Sequence, residues 1–171
     1  MKKRKLRLAD KLLLSVVNGV EQFAFSENFN LSNQSAYDEI FRDGIMSVRH
    51  YHSLDEDEIE VAGEKVKVKK DKYRTPVILV PPLAATSMIF DLMPHRSVAR
   101  YFLAHGYDVY LVDWGDVTAD HKNLSLESYV LEWMPMIMDA VITDSDEEEV
   151  SIFAYCMGGL LSLMYLAVHG D

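Results

Sequence analysis

The chain carries a single cysteine, Cys156, among 171 residues. One cysteine excludes an internal disulfide framework and argues against a cysteine-based zinc site. It fits a reducing, cytoplasmic setting. Basic residues are also scarce: 17 Lys and Arg face 27 Asp and Glu, for a net charge of −10. Phosphate affinity comes from Lys and Arg, so this balance argues against non-specific nucleic-acid binding. No phosphate loop, internal repeat or low-complexity tract is present. The histidines are scattered without ligand spacing, so no metal site is expected.

Long apolar runs are nearly absent too. Lys2 to Lys5 followed by residues 12–17 imitates a secretion signal, but the run is six residues long. Such a region needs ~7–15. Residues 150–168 hold no charge and number 19, enough to span a bilayer. Gly158-Gly159 interrupts that run just after a β-rich segment, and its flanks lack positive charge. The expectation is a buried strand followed by a buried helix, not a membrane span.

What is present reads as a two-part chain. Leu8, Leu12, Leu13, Val16, Val17, Val20, Phe23 and Ala24 recur at helical spacing. This predicts an amphipathic helix that docks on the protein body or lies on a lipid or polymer surface. A polar linker follows, so residues 1–38 are assigned to helix and linker and 39–171 to the main domain. Residues 46–51 read as a strand. Residues 59–61 and 66–68 alternate around Gly63 as an exposed hairpin would. Residues 55–58 and 144–149 read as solvated acidic connections.

From Thr75 the pattern changes. Residues 76–80, 107–112 and 150–155 are β-rich apolar runs, the signature of strands buried on both faces. Between and after them, residues 97–105, 125–143 and 157–169 have helical character, with Gly106 as a C-terminal cap, Ser125 as an N-cap and a kink at Pro135. Alternating strand and helix with short connections predicts an α/β fold, a mostly parallel sheet with flanking helices.

The third strand runs into Ala154-Tyr155-Cys156-Met157-Gly158-Gly159. This matches a nucleophile elbow, G-x-S-x-G, with Cys for Ser and Ala for the first Gly. Residues two away from the nucleophile must be small, because strand and helix nearly touch there. Ala154 adds one methyl group and Gly158 meets the demand fully. The elbow predicts that the Cys156 sulfur projects from the carboxyl end of the sheet, where open α/β sheets bind ligands. It also sets the sulfur at a helix N-terminus, whose dipole favours a thiolate. The N–H of Met157 is one expected oxyanion-hole donor. The second is the N–H of Leu83, in the loop after residues 76–80, with Ala84 as the fallback. The bland alternative for Cys156 is a buried, inert thiol.

Beyond the elbow the sequence resembles the polyhydroxyalkanoate synthases, especially the short-subunit type that works with a second protein. The residues that carry the resemblance are Thr75-Pro76, the segment Ile89-Phe90-Asp91-Leu92 with Pro94, and Arg96-Ser97-Val98. They continue through the stretch from Gly106-Tyr107-Asp108 to Asp113-Trp114-Gly115, then Leu124, Leu126 and Tyr129, and the elbow itself. The resemblance covers residues 40–171. It implies a partial α/β-hydrolase fold, truncated after the elbow helix. It further implies that Cys156 accepts a 3-hydroxyacyl group from coenzyme A and passes it to a growing polyester. The acyl-coenzyme A is a substrate, and no cofactor is expected. Implied partners are a second synthase subunit and the polymer granule surface.

In this fold the acid and the histidine follow the nucleophile. After Cys156 only His169 and Asp171 remain. His169 lies 13 residues on, roughly 20 Å along a helix, out of reach. Upstream, His50, His52, His95, His105 and His121 are available, of which His95 and His121 fall nearer the carboxyl end of the sheet. Asp113 and Asp116 follow a strand end, and Asp113 is expected to bond loop backbone. The 171 residues are therefore expected to be inactive alone. The strand at 150–155 is expected to lack a neighbour on one side and so to drive self-association. Two other functions stand beside the synthase: a Cys-type ester or thioester hydrolase, and a non-catalytic granule- or partner-binding module.

Overall fold

The computed structural model describes residues 35–170. The helix expected at residues 8–24 and most of the polar linker lie outside them. The described residues belong to one compact unit. Its strands are β1 (Tyr37–Asp43), β2 (Met46–Tyr51), β3 (Glu58–Val61), β4 (Glu64–Lys67), β5 (Val77–Val80), β6 (Val109–Asp113) and β7 (Ser151–Ala154). Its α-helices are α1 (Val98–Ala104), α2 (Met134–Ser145) and α3 (Met157–His169).

Five strands form one sheet in the order β1-β2-β6-β5-β7. β6, β5 and β7 are parallel; β1 and β2 join as an antiparallel hairpin on the β6 side. Strand alternation sorts the core into two layers. Ile78, Val80, Tyr110 and Val112 face a cluster with Trp133, Ile137, Val141 and Leu161. Val77, Leu79, Val109 and Leu111 face Ala99 and Leu103 of α1. Helices therefore cover both faces, as the strand–helix alternation predicts.

Local signals bound α1, whereas the Ser125 hydroxyl, expected as an N-cap, donates to the Glu127 carboxylate instead. The Ser97 hydroxyl accepts the N–H of Arg100 and caps α1. Gly106 follows α1 at φ +87°, a conformation that favours glycine. The irregularity expected at Pro135 takes the form of a π-helical stretch at Ser128–Trp133 just before it. Missing one N–H, Pro135 cannot continue a regular ladder, and wider turns absorb the defect.

Four expectations need correction. Residues 37 and 38 belong to β1, not to a linker; the polar YDEIFRD segment hides its strand character. The β3–β4 hairpin is not simply exposed, because Ile59 and Val61 pack with Val68 and Ala104. The connection at 144–149 is not merely solvated: α2 extends through Ser145, and Asp144 and Glu147 bond to His50 and Arg74. Finally, β7 and α3 have the expected secondary structure but not the expected burial. Phe153 is 41% exposed and Leu163 65%. The cause is topological: among the described residues β7 has a neighbour only on its β5 side.

Candidate functional site at the start of helix α3

Cys156 sits between the end of β7 and the first turn of α3, and it is exposed. Its backbone has φ 55° and ψ −123°. That is the first central position of a type II′ turn, where glycine dominates. A cysteine held there is strained by about 1–3 kcal/mol. Only a tightly packed surrounding can hold it, and the packing is visible. A Cβ built on Gly158 would lie 2.3 Å from the carbonyl oxygen of Val80 and 2.6 Å from that of Pro81. The Tyr155 N–H donates to the Val80 carbonyl at 3.3 Å. The first turn of α3 thus rests directly on the carboxyl end of β5, where the loop bearing Leu83 begins.

That loop is organised by its prolines and by Trp114. Pro81 and Pro82 are buried, whereas Leu83 and Ala84 are exposed. The Trp114 indole, 4% exposed, donates its Nε1–H to the Pro81 carbonyl at 2.9 Å. Its ring packs edge-on against Tyr129 and is stacked with Trp133. Among the described residues no protein acceptor takes the N–H of Leu83 or of Met157. Both remain available to a ligand. A small hollow of about 240 Å³ runs between residues 83–87 and 113–117.

The Asp113 carboxylate accepts the Gly115 N–H at 3.1 Å and pairs with Arg49. It is a loop-bonding residue, as expected, and Asp116 lines the hollow beside it. Histidines go elsewhere. His121 accepts the Thr118 N–H at Nδ1 and caps a short 3₁₀ turn at Ala119–His121. His95 is exposed on another 3₁₀ turn, Pro94–Arg96. His105 lies 2.8 Å from the Tyr101 carbonyl, His52 pairs with Asp38, and His169 stacks on Tyr165. Among the described residues no histidine hydrogen-bonds Cys156, and no group of three or more His, Cys, Asp or Glu could hold a metal.

His50 makes the most elaborate contacts. Nε2 lies 3.1 Å from Asp108 and Nδ1 2.8 Å from Asp144, while the ring stacks on Tyr110 at 4.3 Å. Two ring nitrogens that each face a carboxylate oxygen both donate only in the imidazolium. The hydrogen bond to Asp108 raises the His50 pKa above its usual value against the opposing effect of burial, and the charges of both carboxylates add to it. Asp108 precedes β6, so this cluster lies at the amino end of the parallel strands, the end opposite Cys156. It is a structural clamp between β2, the start of β6 and the end of α2. A raised folded-state pKa stabilises fully below the unfolded value, and the stabilisation is lost as pH rises through the folded value. Urea midpoints should therefore fall in the wild type as pH rises above the usual imidazole value of about 6.5, and vary less in a His50→Gln chain. Equal slopes in the two chains would remove His50 from the account.

Sequence reasoning missed Trp114 as part of this site. The usable signal was its placement one residue past a strand end. A buried indole N–H there needs an acceptor, and the loop after the neighbouring strand offers one.

Comparison with known proteins bears on the fold. The family described as alpha/beta hydrolase fold matches residues 75–171. The chain is 33% identical to the poly(3-hydroxyalkanoate) polymerase subunit PhaC of Haloarcula marismortui over 132 residues, covering 77% of this chain and 26% of that one. It is 37% identical to the PhaC subunit of Haloferax mediterranei over 97 residues, 57% of this chain and 20% of that one. With the PhaC subunit of Synechocystis it shares 29% identity over 157 residues, 83% and 41% of the two chains. The chain thus spans a fifth to two fifths of the length of these curated relatives. With the matching region running from β5 through the Cys156 turn and α3, the chain belongs to the alpha/beta hydrolase fold family and is similar within it to PhaC subunits.

Proposed function

We propose that this chain supplies the nucleophile and oxyanion loop of a polyhydroxyalkanoate synthase-type acyltransferase, with Cys156 as the acyl carrier. The observation that carries this reading is the exposed cysteine at φ 55° on a tight strand-to-helix turn, in a chain similar to PhaC subunits. The Cys156 thiolate attacks the carbonyl carbon of a 3-hydroxyacyl thioester of coenzyme A. A new C–S bond forms, the bond to coenzyme A breaks, and the departing thiolate takes a proton from solvent. The hydroxyl of a second acyl unit then attacks the acyl-enzyme, loses its proton to a base and releases the sulfur. The N–H groups of Met157 and Leu83 are the donors for the oxyanion in both steps. The base comes from outside the described residues, and without it the second step is slow.

Incubation with 3-hydroxybutyryl-coenzyme A tests this. Inactivity of the chain alone is a matter of turnover: no polymer is expected, but one equivalent of coenzyme A should be released and a hydroxybutyryl mass should appear on the Cys156 peptide. No adduct on a folded chain would overturn the reading. Release of free 3-hydroxybutyrate with turnover would replace it by thioester hydrolysis.

The side of β7 that has no neighbour among the described residues is proposed to pair with a second copy of this chain. β7 holds no charge and no proline, the usual protections of a sheet edge. Antiparallel pairing of two copies sets each acidic run 146–149 beside the far end of the partner strand, whereas parallel pairing would set the two runs side by side. Sedimentation at micromolar concentration should show dimers or larger species, and Phe153→Lys should shift the chain toward monomer. A wild-type chain that sediments as a monomer, or one whose β7 is covered by another polypeptide, would overturn this.

A further inference from the structure

We infer that Trp114 is a positioning residue for the oxyanion loop, acting through the Pro81 carbonyl; this rests on the acyl-transfer reading of Cys156. Few soft dihedrals separate the Pro81 carbonyl from the Leu83 N–H. The peptide unit between Pro81 and Pro82 is planar, so orienting its carbonyl orients the whole plane. That carbonyl is held from two sides. The Trp114 Nε1–H donates to it at 2.9 Å, and the backbone of Gly158 packs against it so closely that a Cβ would approach to 2.6 Å. The pyrrolidine ring of Pro82 then fixes φ at that residue. Only ψ of Pro82 separates the anchored plane from the plane that contains the Leu83 N–H.

One indole hydrogen bond therefore sets the direction of an N–H two residues away. It does so from a rigid base. Trp114 is 4% exposed and held by Tyr129 and Trp133, and the Trp133 indole is itself tied to Asp43 at 3.0 Å. The same Pro81 oxygen touches both the indole and the first turn of α3. The loop donor and the Cys156 turn thus share one reference point, and Trp114 keeps them in register. Trp114 touches no reacting atom in this account.

The test compares two reactions of the same sulfur. Alkylation by iodoacetamide displaces iodide at a tetrahedral carbon and builds no oxyanion. Acylation by p-nitrophenyl acetate forms a C–S bond at a carbonyl carbon, passes through an oxyanion and expels p-nitrophenolate. In Trp114→Phe the acylation rate constant should fall by about 10- to 100-fold, below the full loss of an oxyanion donor. The alkylation rate should stay within about twofold of wild type. Trp133→Phe, which loosens the packing behind Trp114 but leaves the Pro81 bond in place, should lower the acylation-to-alkylation ratio less than Trp114→Phe does. If Trp114→Phe does not fold, 3-benzothienylalanine at position 114 removes the N–H while keeping the ring size. Equal acylation by wild type and variant overturns the inference, as does a matched fall in both rates. A wild-type chain that alkylates but does not acylate overturns the acyl-transfer reading itself.

Discussion

A Cys156→Gly chain is expected to form no acyl adduct and yet to be more stable than the wild type. The first half follows from chemistry: with no thiol, acyl transfer from a thioester should fall by a factor of at least ~1,000, since only the oxyanion donors remain. The second half follows from the backbone. At φ 55° and ψ −123° a side chain is strained, and glycine adopts that conformation freely. Cys156 is exposed, so its removal opens no cavity. The gain should be about 1 kcal/mol, reduced by the greater freedom of an unfolded glycine. Mass spectrometry and urea unfolding on one preparation check both halves. A glycine chain less stable than wild type would show that the turn is not strained by its side chain.

The opposite balance is expected two residues on. Gly158→Ala should destabilise the chain by about 2–4 kcal/mol and lower Tm by roughly 5–15 °C. In an open helix the same change would help by about 0.5–1 kcal/mol. Here the added Cβ meets the backbone oxygens of Val80 and Pro81 at 2.3 and 2.6 Å, and backbone cannot rotate aside as a flexible side chain can. Relief requires α3 to lift from the end of β5, which also moves the Cys156 turn. Gly159 supplies the control, because a Cβ there meets nothing within 4 Å. Gly159→Ala should leave Tm unchanged or raise it slightly. Similar Tm values for the two alanine chains would mean that the strand–helix contact is not tight.

The contrast between Gly158 and Gly159 shows what was legible in the sequence. The elbow motif asks for a small residue two after the nucleophile and says nothing of three after, and the contacts agree. Continuous apolar runs located β5 and β6, and Ser97 with Gly106 bounded α1. What was not legible depends on partners far away in sequence. The apolar run 150–168 looks buried by composition alone; that its strand lacks a neighbour on one side is legible only from the place of the elbow in the fold, and among the described residues Phe153 is exposed accordingly. β1 hides because its edge position lets polar residues occupy both faces. Asp144 reads as loop acid until the fold brings it to His50, 94 positions earlier. Trp114 reads as a strand-end aromatic until Pro81, 33 positions earlier, is placed beside it.

The aromatic packing behind the Cys156 turn has a spectroscopic consequence. The chain's two tryptophans, Trp114 and Trp133, lie stacked with ring centroids 6.3 Å apart. At that separation their excited states exchange energy, and the pair acts as one optical reporter. One of the two indoles is hydrogen-bonded to the carbonyl that the start of α3 touches. Near-ultraviolet circular dichroism of the native chain therefore watches the wall of the site without any label.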